Sequence, residues 1–233
     1  MENIALEAER KRAEQILSIL RANLTIREED FATLTVASET KDPFRILVVT
    51  VLTQNCTDVA ALRAFRNLDR QVGVTVPKLG QANVRTIEKA IHVAGLHKQK
   101  ARGLKRLAQV IAERYSGNIA SALNGSFEDM RVALQELPRV GPKTADVLLS
   151  VLGRPTISVD THVDRVSKRL GLAPRKAGYE KVRLALMQLF PRRDSRFVPL
   201  YFMAHGRQIC RARRPLCPAC PVRELCPYPN KTT

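Results

Sequence analysis

Apolar residues recur at helical spacing along most of this chain. Between residues 3 and 22, Ile4, Ala8, Ala13, Ile16, Leu17 and Leu20 fall at roughly helical intervals, which predicts an amphipathic helix. From Pro43 the run PFRILVVTVLTQ is almost wholly apolar. It is too long for a typical strand and opens on a proline suited to a first helical turn, so it reads as a buried helix despite its valines. Thr57 supplies an N-cap for TDVAALRAFRNL. Helices are predicted over 83–94 and 97–115, split by Gly95, and from Phe127 to Leu137. Leu137-Pro138-Arg139-Val140-Gly141-Pro142 is a turn, and helix resumes over 143–152. Further helices fit 161–171, 175–190 and 197–208. No region alternates as a strand would. The expected chain is all-α, with two ends that could pack together and a middle that could form its own bundle.

Hydrophobic residues make up 45% of the 233, enough for a real core in one large domain or two small ones. No run approaches the roughly 18 apolar residues of a membrane span. The start is charged and amphipathic, with no signal-peptide core. The expectation is a monomer without a membrane partner, cytoplasmic and nucleoid-associated if the source is prokaryotic. The formal net charge is +17, from 39 Lys and Arg against 22 Asp and Glu. A compact chain this basic points to a polyanion, with nucleic acid the leading candidate.

Four of the five cysteines, Cys210, Cys217, Cys220 and Cys226, stand close together near the end of the chain. Nothing points to export, so they read as thiolates and not disulfides. Four thiolates this close suit an iron–sulfur cluster or a zinc ion. Arg207, Arg211, Arg213 and Arg214 surround the first of them, which suggests a site near phosphate. Cys56 lies in an apolar helical stretch and reads as a small buried hydrophobe.

Two further segments carry candidate chemistry. In LPRVGPKTADVLL, 137–149, Gly141 offers a backbone shape barred to other residues, and Pro142 suits the first turn of the next helix. Free N–H groups there can hold a phosphate. A plain corner between two helices has the same composition. Lys143 stands in that first turn, where the helix dipole disfavours a cation. Partial burial there would favour the free amine that a nucleophile needs. An exposed lysine, or one on a phosphate, is the alternative. In ISVDTHVDRV, 157–166, Asp160 precedes a helix. It reads as an N-cap, as a carboxylate able to stabilise positive charge on a sugar, or as both, one oxygen for each task. Asp164 is expected to be solvated or paired with Lys168, and His162 to satisfy a local contact or orient a ligand.

Taken together, three signals resemble the endonuclease III family of helix–hairpin–helix DNA glycosylases. They are L-P-x-V-G-x-K-T-A at 137–145, V-D-T-H-V-x-R-V at 159–166, and C-x6-C-x2-C-x5-C at 210–226 preceded by H-G-R at 205–207. The likeness runs from about residue 30 to 228. It implies two domains with an active-site cleft between them: a six-helix helix–hairpin–helix domain at 37–154, and an iron–sulfur domain from 1–36 and 155–233. It implies that Lys143 attacks the anomeric carbon of a damaged nucleotide and that Asp160 is the essential aspartate. It also implies that Cys210, Cys217, Cys220 and Cys226 bind a largely structural [4Fe–4S] cluster. The partner implied is double-stranded DNA carrying a damaged base or an abasic site. The hairpin residues Arg139, Val140 and Gly141, His162, and the loop residues Arg211, Arg213 and Arg214 become its contacts.

Some positions depart from the family pattern. The hairpin usually reads G-V-G, and Arg139 stands for the first glycine, where it could itself reach phosphate. The segment that fills the space of an extruded base often has glutamine where this chain has Asn55, with Gln54 beside it. Leu96 resembles the wedge that enters the duplex, with core packing as its alternative. The activity implied is base excision, with oxidised pyrimidines as the family default, followed by strand cleavage through β-elimination. Rival readings are a monofunctional mismatch or uracil glycosylase, against which Lys143 argues, and a non-catalytic DNA-binding protein. The six-residue first gap between cysteines argues against zinc.

Overall fold

The structure is a computed structural model that describes residues 2–232. Among the described residues every regular element is helical, as the apolar pattern predicts. None of these helices is long and apolar enough to cross a membrane. The chain divides into two compact units, one of Met1–Ile26 with Pro155–Thr233 and one of Arg27–Arg154. Helix α1 (Glu2–Asn23) precedes the continuous unit. That unit contains α2 (Ala32–Glu39), α3 (Pro43–Leu52), α4 (Asp58–Gln71), α5 (Val76–Gln81), α6 (Val84–Ala90), α7 (His97–Tyr115), α8 (Phe127–Gln135) and α9 (Pro142–Val151). The chain then returns to the first unit with α10 (Thr161–Arg169), α11 (Tyr179–Leu189) and α12 (Val198–Gln208).

In the continuous unit α3 is the central helix. Phe44 and every residue from Ile46 to Leu52 are buried, and α2, α4, α7 and α9 pack around them. Valine-rich sequence has modest helix propensity, so tertiary burial supports this helix. Its start is well defined, because Asp42 accepts from the Phe44 N–H at 2.8 Å and Pro43 needs no donor. Helix α7 is longer and amphipathic, burying Ala101, Leu104, Leu107, Ala108 and Ile111 against this core. Helices α8 and α9 are joined through a buried ion pair. Arg131 Nε donates to Asp146 Oδ1 at 3.0 Å and its Nη2 to Oδ2 at 3.2 Å, a bidentate pairing that fixes how the two helices meet.

In the discontinuous unit Ala13, Ile16, Leu17 and Leu20 form the buried stripe of α1, which packs on α11 and α12. Phe190 and Phe202 meet edge to face at 6.0 Å within the same core. Helix α10 packs on α12. Gly206 permits that approach, since a Cβ there would lie 3.0 Å from His162 Cβ and 3.1 Å from the Arg165 guanidinium.

Cys56 departs from expectation. It sits in the turn after α3, half-buried against the core, and not inside the helix.

Candidate functional site

The turn between α8 and α9 is built differently from the sequence expectation. Gly141 has φ −90° and ψ −179°, an extended conformation open to any residue. The left-handed position belongs to Arg139, at φ 69°. The arginine therefore takes the strained conformation that a glycine would hold without cost. Its side chain is engaged within the protein. Its stem lies over Gly103 of α7, where any Cβ would come within 2.5 Å of Arg139 Cγ. Its Nη2 donates to Gln54 Oε1 at 3.0 Å, while Gln54 Nε2 donates back to the Arg139 carbonyl at 3.0 Å and to Thr144 Oγ1 at 3.2 Å. Val140 is buried, and its N–H donates to the Leu137 carbonyl at 3.1 Å.

Beyond the turn, the start of α9 is open. Gly141 supplies no capping side chain, and among the described residues the N–H groups of Lys143 and Thr144 have no protein acceptor. A Cβ on Gly141 would meet nothing within 4 Å. Free helix-start donors behind an open glycine suit an anion such as phosphate. Lys143, the second residue of α9, is exposed, so burial does not add to the effect of the helix dipole on its amine. No ion pair or hydrogen bond engages its amine among the described residues.

Gln54, Asn55 and Leu96 fall into two classes. Gln54 is half-buried and committed to the hairpin through the bonds just given. Asn55 and Leu96 are exposed, each at the left-handed apex of a turn, with φ 51° and 46°. Leu96 keeps 47% of its surface exposed, which excludes the core-packing alternative. The two turns adjoin, since a Cβ on Gly95 would sit 3.9 Å from the Asn55 carbonyl oxygen. Behind them lies Lys100, fully buried, its Nζ donating to the carbonyls of Leu52 at 2.8 Å and Ala94 at 2.7 Å.

In the discontinuous unit Asp160 is the N-cap of α10. One oxygen, Oδ1, accepts from the N–H groups of His162 at 2.9 Å and Val163 at 2.7 Å, which leaves Oδ2 outside the cap. Asp164 pairs with Lys168 at 2.6 Å, one of the two expected outcomes. His162 makes a local contact, with Nδ1 3.0 Å from Arg165 Nη2. Burial, then the cations Arg165 and Arg207, hold its pKa below the usual histidine value against the opposing pull of Asp160.

Two arginines of α10 reach the first cysteine and the loop after it. Arg165 Nε donates to the Cys210 carbonyl at 3.0 Å. Arg169 Nη1 donates to Cys210 Sγ at 3.4 Å and to the Arg211 carbonyl at 2.7 Å, and its Nη2 reaches the Ala212 carbonyl at 3.1 Å. Arg211, Arg213 and Arg214 are exposed on that loop. Arg165 does carry a signal, as the arginine of the second motif. Lys100 stands four residues after Leu96, with no local feature to mark it as buried. Among the described residues no three His, Cys, Asp or Glu side chains converge on a point that would suit a single metal ion. The four thiols nevertheless feel one another. Burial raises the pKa of Cys220 and Cys226, and Cys210 and Cys217 raise both further. His205, with Nε2 3.8 Å from Cys220 Sγ, is pushed by burial to about 4, and its buried Nδ1 has no partner among the described residues.

Comparison with known proteins bears on these arrangements. A family model described as HhH-GPD superfamily base excision DNA repair protein matches residues 48–192. Endonuclease III of Sulfolobus acidocaldarius is 33% identical over 218 residues, covering 93% of this chain and 96% of that protein. Endonuclease III of Escherichia coli K12 is 33% identical over 190 residues, covering 81% and 85%. Among solved structures, a trapped endonuclease III–DNA covalent intermediate matches with a TM-score of 0.72 at 33% identity, over 81% of this chain and 85% of that one. A thermostable thymine-DNA glycosylase matches at 0.76 and 26%, over 96% and 98%.

Proposed function

This chain belongs to the HhH-GPD superfamily of base excision DNA repair proteins as an endonuclease III-type DNA glycosylase/lyase, and from that premise we propose that Lys143 is its nucleophile and Asp160 its essential carboxylate. The observation that carries the first assignment is an exposed, unpaired amine in the first turn of α9, directly behind unclaimed N–H donors. Those donors hold a phosphate of the damaged strand. The Lys143 amine, unprotonated, attacks C1′ of a nucleotide extruded from the duplex, and the base departs with the bonding electrons. The sugar ring then opens: the bound amine gives up a proton, the C1′–O4′ bond breaks with O4′ taking a proton, and the iminium so formed acidifies the C2′ hydrogen. Loss of that proton expels the 3′ phosphate by β-elimination, and water releases the cut strand from the lysine. Asp160 Oδ2, free of the cap, stabilises the positive charge that develops on the sugar. Asn55 and Leu96 fill the duplex where the nucleotide leaves it.

Cys210, Cys217, Cys220 and Cys226 are proposed to hold a [4Fe–4S] cluster. The donor set fits. The four are soft thiols that influence one another, with guanidinium and imidazole groups beside two of them. When bound, the cluster supplies a rigid cross-link for a segment with little core of its own. Arg211, Arg213 and Arg214 then contact the DNA backbone from a fixed loop. Oxidised pyrimidines are the proposed substrates. For a prokaryotic source, the cell compartment proposed is the cytoplasm, at the nucleoid.

The test is a panel of duplexes, each with one oxidised pyrimidine, uracil, G·T mismatch or abasic site, incubated with and without borohydride. Oxidised pyrimidine and abasic duplexes should be cut, and borohydride should trap a covalent adduct that Lys143→Ala abolishes. A Lys143→Ala protein that traps as well as wild type overturns the assignment.

A further inference from the structure

Lys100 is chemically out of place. It lies in the first turns of α7 with no exposed surface, and no carboxylate pairs with it among the described residues. Burial lowers its pKa, and of the neighbouring groups Cys56 opposes that shift while Arg139 adds to it. A buried ammonium without a counter-ion is costly, and a methionine would fill the same space without that cost. What methionine could not supply is the pair of bonds. One acceptor is the carbonyl of Leu52, the last residue of α3, and the other that of Ala94, just before Gly95. These carbonyls belong to two separate turns, and each turn continues into an exposed left-handed residue, Asn55 in one and Leu96 in the other.

We infer that Lys100 is a positioning residue for base extrusion: its ammonium ties the Asn55 turn to the Leu96 turn, so that both side chains enter the duplex as one rigid pair. This rests on the endonuclease III-type reading of the site. Without the tie, the Leu96 turn keeps the core packing of Ile91 and Ala94 but loses its hydrogen-bonded link to the Asn55 turn, and the cost of ordering the two together falls on the extrusion step.

The experiment compares wild type with Lys100→Met on two duplexes, one with an oxidised pyrimidine and one with an abasic site, with 2-aminopurine next to the lesion. On the base-containing duplex kcat should fall about 10²-fold with KM little changed, and the 2-aminopurine rise that reports unstacking should be lost. Abasic-site cleavage, which has no base to extrude, should change by less than about threefold. In a Leu96→Ala background Lys100→Met should add less than about twofold, because both act through one element. Equal losses on the two duplexes, or full additivity with Leu96→Ala, would overturn the inference. Gly95→Ala disturbs the same turn from the surface, at φ 61° where a side chain is strained, and serves if Lys100→Met does not fold. It should reproduce the selective loss, and undiminished excision by it would also overturn the inference. Wild type that cuts neither duplex would instead overturn the endonuclease III-type reading itself.

Discussion

Arg139 and Gln54 hold each other in both directions. The guanidinium donates to the amide oxygen, and the amide nitrogen donates to the arginine's own carbonyl, each at 3.0 Å. The hairpin is thereby fixed to the turn after α3. Arg139→Gly relieves the left-handed strain and keeps the bond from Gln54 to the backbone carbonyl while losing the guanidinium bond and the packing on Gly103, so its stability should stay within about 1 kcal/mol of wild type. Arg139→Ala keeps the strain and gives up the same guanidinium bond and packing, and should cost about 2 kcal/mol. Urea unfolding of the two variants checks this order.

Asp160 performs its capping with one oxygen. Asp160→Asn retains that acceptor and loses only the charge, so the melting curve should hardly move while excision falls about 10²-fold. Asp160→Ala removes the cap as well and should cost about 1 kcal/mol further. If the asparagine variant lost as much stability as the alanine variant, capping alone would account for the residue.

Purified protein should be yellow-brown and contain about four irons per chain. Cys56→Ser should keep both colour and iron, because that thiol packs on the core of the other unit. Serine at any of Cys210, Cys217, Cys220 or Cys226 should reduce both. Colourless protein with one zinc would contradict the cluster.

The loop bearing Arg211, Arg213 and Arg214 is held by Arg169 through the carbonyls of Arg211 and Ala212, which leaves its own side chains exposed. Replacing all three with Ala should weaken damaged and undamaged duplexes alike. The slope of log K against log salt should fall by roughly one unit for each phosphate that is no longer neutralised. Weakening confined to damaged DNA would assign the loop to lesion recognition.

Lys100 gives stability a pH dependence of defined sign. Its folded pKa lies below its unfolded value, so above the folded pKa the unfolded chain binds more protons, and stability rises with pH through that window. The cost of burying the charge is relieved as the amine loses its proton; the neutral amine still has two N–H donors for its two carbonyls. The stability of wild type relative to Lys100→Met should therefore increase from pH 7 toward the unfolded lysine value of ~10.4. Denaturation midpoints of the pair across that range decide it.

The long periodic helices are legible in the chain, and α7 runs over the predicted residues, His97–Tyr115. Two elements are not. Helix α2, ATLTVASE, is rich in β-branched residues, and α5 is six residues with proline at its second position. Both form because the neighbouring core buries Val36 and Leu79, a tertiary cause that local pattern does not carry. The motifs name the candidate residues but not their division of labour. Which residue takes the positive φ depends on what packs beside it. Arg139 can hold that conformation because Gly103, 36 positions earlier, leaves room for its stem. The buried acceptors of Lys100 are likewise backbone atoms, which no residue letter reports.

Arg12 of α1 donates to the carbonyls of Leu170 at 2.9 Å and Leu225 at 3.1 Å, across separations of 158 and 213 residues. This sets an order on synthesis. The unit of residues 27–154 has all its own contacts available as soon as it leaves the ribosome, whereas α1, made earlier, meets Leu170, α11, α12 and the cysteine segment only as each of them emerges. At ~5–20 residues per second that interval is on the order of 10 s. During it Ala13, Ile16, Leu17 and Leu20 form an uncovered apolar stripe beside an already folded neighbour in the chain. A nascent chain stalled before α11 would present that stripe to chaperones, and any lesion in the tail would be felt first in the helix at the opposite end of the sequence.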